Sequence, residues 1–247
     1  MLDEVIKLAK AASEKILEIY DAHTYTVSIK EDDSPLTQAD IASNKIIQEG
    51  LAKLSDIPVI SEETFDFEKP RPHYEKFWLV DPLDGTKDFI ARNGQFTVNI
   101  ALVENRVPVL GVVAIPVSGD VFYAEKGKDA FQNGTKISCE NISRKEVIGT
   151  DSCFHSTEQT LAFFKEHNIT NIKKFGSSIK LCKIAAGEID IYPRLNGTKE
   201  WDTAAGHVIL NEAGGEIIDL VTNREMEYDK PSVKNNFFIA KRKGLRI

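Results

Sequence analysis

The stretch Asp81–Thr86, Asp-Pro-Leu-Asp-Gly-Thr, combines two carboxylates with residues that shape a tight turn. It follows the apolar run Phe77–Val80, and Pro82 predicts that this strand ends there, because a residue without an N–H cannot continue a ladder. Gly85 lets backbone approach a ligand closely, and Thr86 is expected to cap a short helix. Such a turn offers oxygen ligands to a hard cation and N–H groups to a phosphate, although an ordinary strand–turn–helix junction uses the same residues.

Further acidic residues stand at the ends of predicted elements. Glu62 and Glu63 follow a short predicted strand, and Asp40 and Asp202 stand at the starts of predicted helices. Side chains at element ends can converge without burying charge in the core. Taken singly, each has a simpler explanation, because an acid in a first helical turn suits the helix dipole and an acidic pair is often solvated. These acidic residues indicate a functional site only in combination with the two aspartates of the central turn.

The composition is that of an ordinary globular protein. The chain has 247 residues, 42% hydrophobic and 28% charged, and is long enough to bury a substantial core. The net charge of −7 argues against general nucleic-acid binding but not against a small phosphorylated ligand, since local charge and bound metal decide the latter. No apolar run has the length of a membrane span, and Met1–Glu4 lacks the features of a signal peptide. We therefore expect a cytoplasmic protein without an integral membrane segment.

Cysteine and histidine offer no metal site by their spacing. The three cysteines, Cys139, Cys153 and Cys182, are scattered, and we expect them to be reduced structural thiols. The five histidines form no pair at metal-binding helical spacing. Any metal site must therefore be built from carboxylates.

Hydrophobic periodicity predicts an α+β half over residues 1–145 and an α/β half over residues 146–247. The first half contains a helix over 2–20, a strand or extended loop over 24–36, and a helix to about residue 53 after a capping box of Thr37 and Asp40. Its other predicted elements are strands over 58–60, 77–80, 95–104, 107–117 and 120–125, with a turn at 133–134. The second half alternates strands over 147–151, 171–175, 189–193, 216–220 and 236–240 with helices over 157–167, 178–186 and 201–213.

Three motifs, in the expected order, resemble the signatures of the inositol monophosphatase superfamily. They are Ser61–Glu63, Trp78–Thr86 and Trp201–Gly206. The resemblance implies a magnesium-dependent, lithium-sensitive phosphomonoesterase in which the two halves form one catalytic unit. It also implies an αβαβα sandwich, which agrees with an α+β half followed by an α/β half.

Finer features resemble the CysQ-type branch, the bacterial 3′(2′),5′-bisphosphate nucleotidases. They are Lys87–Ile90, Arg92–Ile100, Gly176–Lys180 and Tyr192–Arg194. Ser61 stands where many inositol phosphatases have glycine, and this branch shares the serine. The resemblance implies hydrolysis of the 3′-phosphate of adenosine 3′,5′-bisphosphate to AMP and phosphate, a step linked to sulfate assimilation. The sulfated precursor, 3′-phosphoadenylyl sulfate, is a further expected substrate.

The resemblance also implies roles for individual residues. Two or three Mg²⁺ ions would be held by Glu62, Asp81, the carbonyl of Leu83, Asp84 and Asp202. Two such ions, about 3.5–4 Å apart, can activate a water and stabilise a leaving oxygen. The implied catalytic residues are Glu63, near the attacking water, and the pair of Thr86 and Asp40, which takes its proton. The implied contacts with the substrate around the scissile phosphate are Glu62, Leu83, Asp84, Gly85, Thr86 and Asp202.

The nucleotide contacts carried over from the resemblance are Ser177, Lys180 and Arg194, with His155 near the base. The two cations would pair with the second phosphate. Each has an alternative explanation: Lys180 would be a solvated helix residue and Arg194 a surface charge at a strand end.

Two other functions remain open at this stage. An inositol monophosphatase or sugar bisphosphatase would share the carboxylates without needing a second cationic site. A non-catalytic nucleotide- or metal-binding module would keep the fold alone. The expected partner is a small bisphosphate nucleotide, and the expected assembly is a monomer or homodimer. Peripheral association with the inner membrane, known for some relatives, also stays open, although the sequence shows no amphipathic anchor.

Overall fold

The computed structural model describes residues 1–22, 27–29 and 35–246. Its helices are α1 Leu2–Asp21, α2 Gln38–Leu54, α3 Thr86–Ile90, α4 Glu158–Glu166, α5 Ile179–Ala185 and α6 Glu200–Glu212. Its strands are β1 Val27–Ile29, β2 Pro35–Thr37, β3 Val59–Ser61, β4 Lys76–Asp84, β5 Thr97–Glu104, β6 Val107–Ile115, β7 Asp120–Glu125, β8 Ala130–Gln132, β9 Thr135–Ile137, β10 Ile148–Ser152, β11 Asn171–Phe175, β12 Ile191–Arg194, β13 Gly215–Asp219, β14 Arg224–Glu225 and β15 Phe238–Arg242. No helix within these ranges combines the length and the apolar character needed to cross a membrane.

A seven-stranded sheet carries α1 and α2 on one face. Its strands follow the order β3-β4-β5-β6-β7-β8-β9, and only β3 and β4 pair in parallel. The apolar stripe of α1 is buried against the sheet, with Val5, Ala9 and Ile16 fully inaccessible. The predicted capping box starts α2: the Thr37 N–H donates to Oδ2 of Asp40 over 2.8 Å.

A second sheet of six strands completes the layers. Its order is β11-β10-β12-β15-β13-β14. Helices α5 and α6 lie between the two sheets, and α4 covers the far face of the second sheet. Side chains of β12 alternate accordingly, because Ile191 packs with Phe164 of α4 while Tyr192 faces the central core. The resulting α/β/α/β/α order of layers is the predicted sandwich.

Helix α6 approaches the first sheet closely. A Cβ atom added at Gly111 of β6 would lie 2.5 Å from the carbonyl oxygen of Ala205, so the glycine permits this packing. Residues 203–210 of α6 are buried, and the core between the sheets combines Phe77 and Leu79 with Trp201 and Ile217. The division near residue 145 stays a prediction.

Two local predictions around the central turn are wrong. Strand β4 does not end at Pro82 but continues to Asp84, with a register shift between Asp81 and Asp84 against β5. Such a bulge accommodates a residue without an N–H inside a strand. Thr86 is not the cap of α3, because Gly85 is the N-cap with φ +94° and Thr86 lies inside the helix.

The other predicted helices and strands lie within a few residues of their predicted positions. Strands β8 and β9 were not predicted, although the predicted turn at residues 133–134 joins them. The two-residue strand β14 was not predicted, because Arg224 and Glu225 are polar and exposed. The predicted strand or extended loop over 24–36 lies mostly outside the described residues, and inside them β1 pairs antiparallel with β2. All three cysteines are free, as predicted; Cys139 and Cys182 are buried, and burial raises the pKa of Cys139 to about 11.

Candidate active site

A cavity of about 630 Å³ opens beside the ends of β3 and β4 and the start of α6. This volume is in the range of small-molecule sites. Its walls come from both halves of the chain and include nearly all of the predicted site residues. Those lining it are Glu62, Asp81, Leu83, Asp84, Gly85, Thr86, His155, Ser177, Lys180, Arg194 and Asp202.

Three carboxylates meet in the acidic part of the cavity. Oxygen atoms of Glu62, Asp81 and Asp202 lie within 4.8 Å of one another. The parallel pairing of β3 with β4 sets Ser61 opposite Val80, so the next residues, Glu62 and Asp81, emerge side by side. Asp202 reaches them from the first turn of α6, where its Oδ2 also accepts the N–H of Lys199 over 2.8 Å.

The fourth predicted carboxylate, Asp84, is held by polar side chains from other elements. Its Oδ2 accepts hydrogen bonds from Oγ of Ser178 at 2.8 Å and from Nδ2 of Asn99 at 3.3 Å. Burial raises the pKa of Asp84, while the charge of Lys180 and these hydrogen bonds oppose that rise. Asp84 therefore lines the same cavity with its carboxylate fixed by neighbours that the sequence did not single out.

The electrostatics of the acidic part fit a divalent cation. Burial, together with the negative charges of Asp84 and Glu62, raises the pKa of Asp202 to about 8. Such close carboxylates repel one another, and a bound cation would relieve that repulsion. Because every donor is oxygen, the cluster suits a hard metal ion rather than a thiol-seeking one. The cluster could hold a metal.

The predicted proton-transfer pair is present beside this cluster. The hydroxyl of Thr86 donates to Oδ1 of Asp40 over 3.2 Å and lies 3.4 Å from the carbonyl oxygen of Leu83. Asp40 is fully buried behind Thr86. Glu63 follows Glu62 directly and is half-buried; within the described ranges, neither Asp40 nor Glu63 belongs to the cavity wall.

The basic part of the cavity is formed by Lys87, Lys180 and Arg194. Lys180 and Arg194 are only 4% and 8% exposed, which contradicts their alternative explanations as a solvated helix residue and a surface charge. Within the part of the chain that the structure describes, no carboxylate lies within 4.0 Å of either cation. Nζ of Lys180 instead donates to the carbonyl oxygens of Phe175 and Ser177 at 3.1 and 2.6 Å, and Nε of Arg194 has no hydrogen-bond partner among the described residues.

His155 and Ser177 complete this region. Burial and the positive charges of Arg194, Lys87 and Lys180 lower the pKa of His155 to about 4, so its ring is neutral near pH 7. Ser177 has a φ of +43°, an unusual conformation for a non-glycine residue, and its buried hydroxyl oxygen has no hydrogen-bond partner in residues 1–22, 27–29 and 35–246. Unusual backbone together with an unpaired polar atom is common where a ligand binds.

Residues 1–244 match the Inositol monophosphatase family. The chain belongs to this family. Its sequence is 44% identical over 225 residues to the protein named 3′(2′),5′-bisphosphate nucleotidase CysQ of Salmonella typhimurium, covering 89% of this chain and 90% of that protein.

Solved structures of inositol monophosphatase family members have the same fold. The crystal structure of CysQ from Bacteroides thetaiotaomicron, described as a bacterial member of the family, aligns with a TM-score of 0.84 at 36% identity, covering 99% of this chain and 97% of that one. An inositol monophosphatase from Thermotoga maritima aligns with a TM-score of 0.81 at 28% identity over 97% of this chain and 91% of its own.

Sequence reasoning missed three residues of this inositol monophosphatase family site. Asn99 and Ser178 hold Asp84, and Lys87 adds a third positive charge near His155. The motifs quoted above contain all three, but nothing in their spacing indicates a contact with Asp84 or His155. Only the folded arrangement of β5, α3 and α5 brings them to the cavity.

Proposed function

We propose that the protein hydrolyses the 3′-phosphate of adenosine 3′,5′-bisphosphate to AMP and phosphate in a Mg²⁺-dependent reaction. The observation that carries the proposal is that one cavity combines a carboxylate cluster with two buried cations that lack carboxylate partners within the described residues. Buried cations are rare unless an anion pairs with them. A substrate with two phosphates satisfies both parts of the cavity, and the relatives named CysQ support the same substrate.

The acidic part of the cavity would bind the metal ions. Glu62, Asp81, Asp84 and Asp202, with the carbonyl of Leu83, would hold two or three Mg²⁺ ions. Bound Mg²⁺ supplies a water of lowered pKa and neutralises charge that develops on the leaving oxygen.

The remaining residues orient the phosphate and accept a proton. The N–H groups of Gly85 and Thr86, at the start of α3, would hold the scissile phosphate. Because the Thr86 hydroxyl already donates to Asp40, its oxygen can take a proton from the attacking water while its own proton moves towards Oδ1 of Asp40. Glu63 would lie near that water.

The basic part would bind the second phosphate. Lys180 and Arg194 would pair with it, and the hydroxyl of Ser177, which has no partner within the described part of the chain, would donate to one of its oxygens. The neutral ring of His155 would lie near the base. The sulfated precursor, 3′-phosphoadenylyl sulfate, presents an anion to the same cations and would be a second substrate.

The test is phosphate release from adenosine 3′,5′-bisphosphate, inositol 1-phosphate and fructose 1,6-bisphosphate, each with Mg²⁺, with EDTA, and with Mg²⁺ plus Li⁺. We expect Mg²⁺-dependent, lithium-sensitive preference for the nucleotide. Preference for either other substrate would retain the metal site but overturn the proposed substrate. Absence of release from all three would favour a binding module that has kept the fold.

A further inference from the structure

The side chain of Ser178 joins three elements that meet at the cavity. Its Oγ lies 2.8 Å from Oδ2 of Asp84, 2.7 Å from the carbonyl oxygen of Asp202 and 2.8 Å from Nδ2 of Asn99. Ser178 is 3% exposed and is the residue before α5. One buried hydroxyl therefore contacts the end of β4, the middle of β5 and the first turn of α6.

The hydroxyl of Ser178 has one proton to donate, and this determines in which of its three contacts it donates and in which it accepts. The amide of Asn99 can only donate to Oγ, so the single hydroxyl proton of Ser178 is shared between Oδ2 of Asp84 and the carbonyl of Asp202. Both acceptors belong to residues that bear carboxylates of the acidic part. The hydroxyl thus fixes the orientation of the Asp84 carboxylate and its position relative to the start of α6.

The same turn also carries residues of the basic part. Ser177 precedes Ser178, and Nζ of Lys180 donates to the carbonyl oxygens of Phe175 and Ser177, which holds the turn closed. A displacement of Ser178 would therefore move the turn that presents Ser177 and Lys180. Ser178 is therefore adjacent in sequence to Ser177 of the basic part and hydrogen-bonded to Asp84 and Asp202 of the acidic part.

We propose that Ser178 is a positioning residue that orients Asp84 for divalent-cation binding. The inference rests on the proposed function, because that function makes Asp84 a metal ligand. Ser178 itself acts through Asp84 and the backbone of Asp202, in the way that outer hydrogen-bond partners orient the ligands of a metal. Its hydroxyl need touch neither the cation nor the substrate.

The test measures Mn²⁺ binding without substrate, from the electron paramagnetic resonance signal of free Mn²⁺. Ser178→Ala removes the hydroxyl, and Ser178→Cys keeps much of the side-chain volume while replacing the hydroxyl with a weak donor. We expect both variants to bind Mn²⁺ about 10–100-fold more weakly than the parent. The matched control is Ser13→Ala, which removes a buried hydroxyl from α1, where it donates to the carbonyl oxygen of Ala9 at 2.8 Å. It should bind Mn²⁺ like the parent.

The outcomes separate the inference from the proposed function. Parent-like Mn²⁺ affinity in a folded Ser178→Ala or Ser178→Cys protein would overturn the positioning role and leave the proposed function standing. A parent protein that binds no Mn²⁺ would overturn the proposed function and this inference with it. An equal loss of affinity in Ser13→Ala would also overturn the inference, because any buried hydroxyl would then have the same effect.

Discussion

The hydroxyl of Thr86 lies 3.2 Å from Oδ1 of Asp40, although the two residues are 46 positions apart. The other carboxylate oxygen of Asp40 accepts both the N–H of Thr37, at 2.8 Å, and the hydroxyl of Thr37, at 2.6 Å. The capping box of α2 therefore fixes the carboxylate before any substrate arrives. An ordinary helix cap and a proton acceptor can thus be the same side chain.

Replacing Thr86 by valine should lower kcat while leaving KM nearly unchanged, because the shape is kept and only the hydroxyl that we propose to transfer the proton is lost. We expect a loss of about 10²–10⁴-fold, typical of a removed acid–base group. Thr86→Ser retains the hydroxyl and should keep most of the activity. Steady-state kinetics with adenosine 3′,5′-bisphosphate provide the measurement, and equal losses in both variants would contradict the assigned role.

Asp81→Asn should abolish Mg²⁺-dependent turnover without unfolding the protein. Asparagine keeps the shape, and its side-chain oxygen can still accept the N–H of Leu83, now 3.1 Å from Oδ1 of Asp81. The loss should exceed about 100-fold, the upper range for outer partners of a metal, because the substitution removes a carboxylate that we propose as a direct ligand. Activity assays and thermal melting test this together. A folded variant with substantial activity would exclude Asp81 as a ligand.

Some parts of the fold depend only on residues close together in the sequence, and these parts could be predicted from the sequence. The capping box at Thr37 and the periodicity of α1 were readable because each depends on residues within a few positions. The prediction that β4 ends at Pro82 was wrong, because the register shift that accommodates this proline depends on the pairing of β4 with β5. For the candidate site, the resemblance supplied the residues, whereas the contacts of Asn99 and Ser178 with Asp84 depend on elements distant in sequence.

Lys180→Met should weaken binding of the bisphosphate far more than binding of inositol 1-phosphate. Hydrogen bonds to charged groups contribute about 1.5–3 kcal/mol, which corresponds to a rise in KM of about 10–150-fold. Lys183→Met is the matched control, because Lys183 lies on the same helix but pairs with Glu188 at 2.8 Å outside the cavity wall. Equal losses for both substrates would indicate damage to the turn that Lys180 holds.

The affinity for the bisphosphate should also depend on pH. Burial, with the positive charge of Arg194, lowers the pKa of Lys180 to about 8. Lys180 is therefore charged below this pH and loses its charge above it, so KM for the bisphosphate should rise as the pH increases through about 8. The profile for inositol 1-phosphate should lack this rise, and Lys180→Met should remove it. A rise that persists in Lys180→Met would assign the titration to another group.

Gly111→Ala should destabilise the fold. The new Cβ would lie 2.5 Å from the carbonyl oxygen of Ala205 in α6, so the helix or the strand must shift. Such overpacking costs about 1–3 kcal/mol in the free energy of unfolding, measured by urea denaturation. Gly197→Ala is the control, since a Cβ there meets no atom of the described residues within 4 Å and φ is not positive. An unchanged free energy of unfolding in Gly111→Ala would show that α6 can retreat without cost.

Helix α6, buried between the sheets and bearing Asp202, also orders events during synthesis of the chain. A ribosome that has released Glu62 and Asp81 has still not delivered the third member of their cluster. Until α6 has been made, the face of the first sheet that carries Phe77 and Leu79 has no helix to cover it. Phosphatase activity should thus report that translation has passed α6 and that this helix has docked, and chains truncated before it should be inactive.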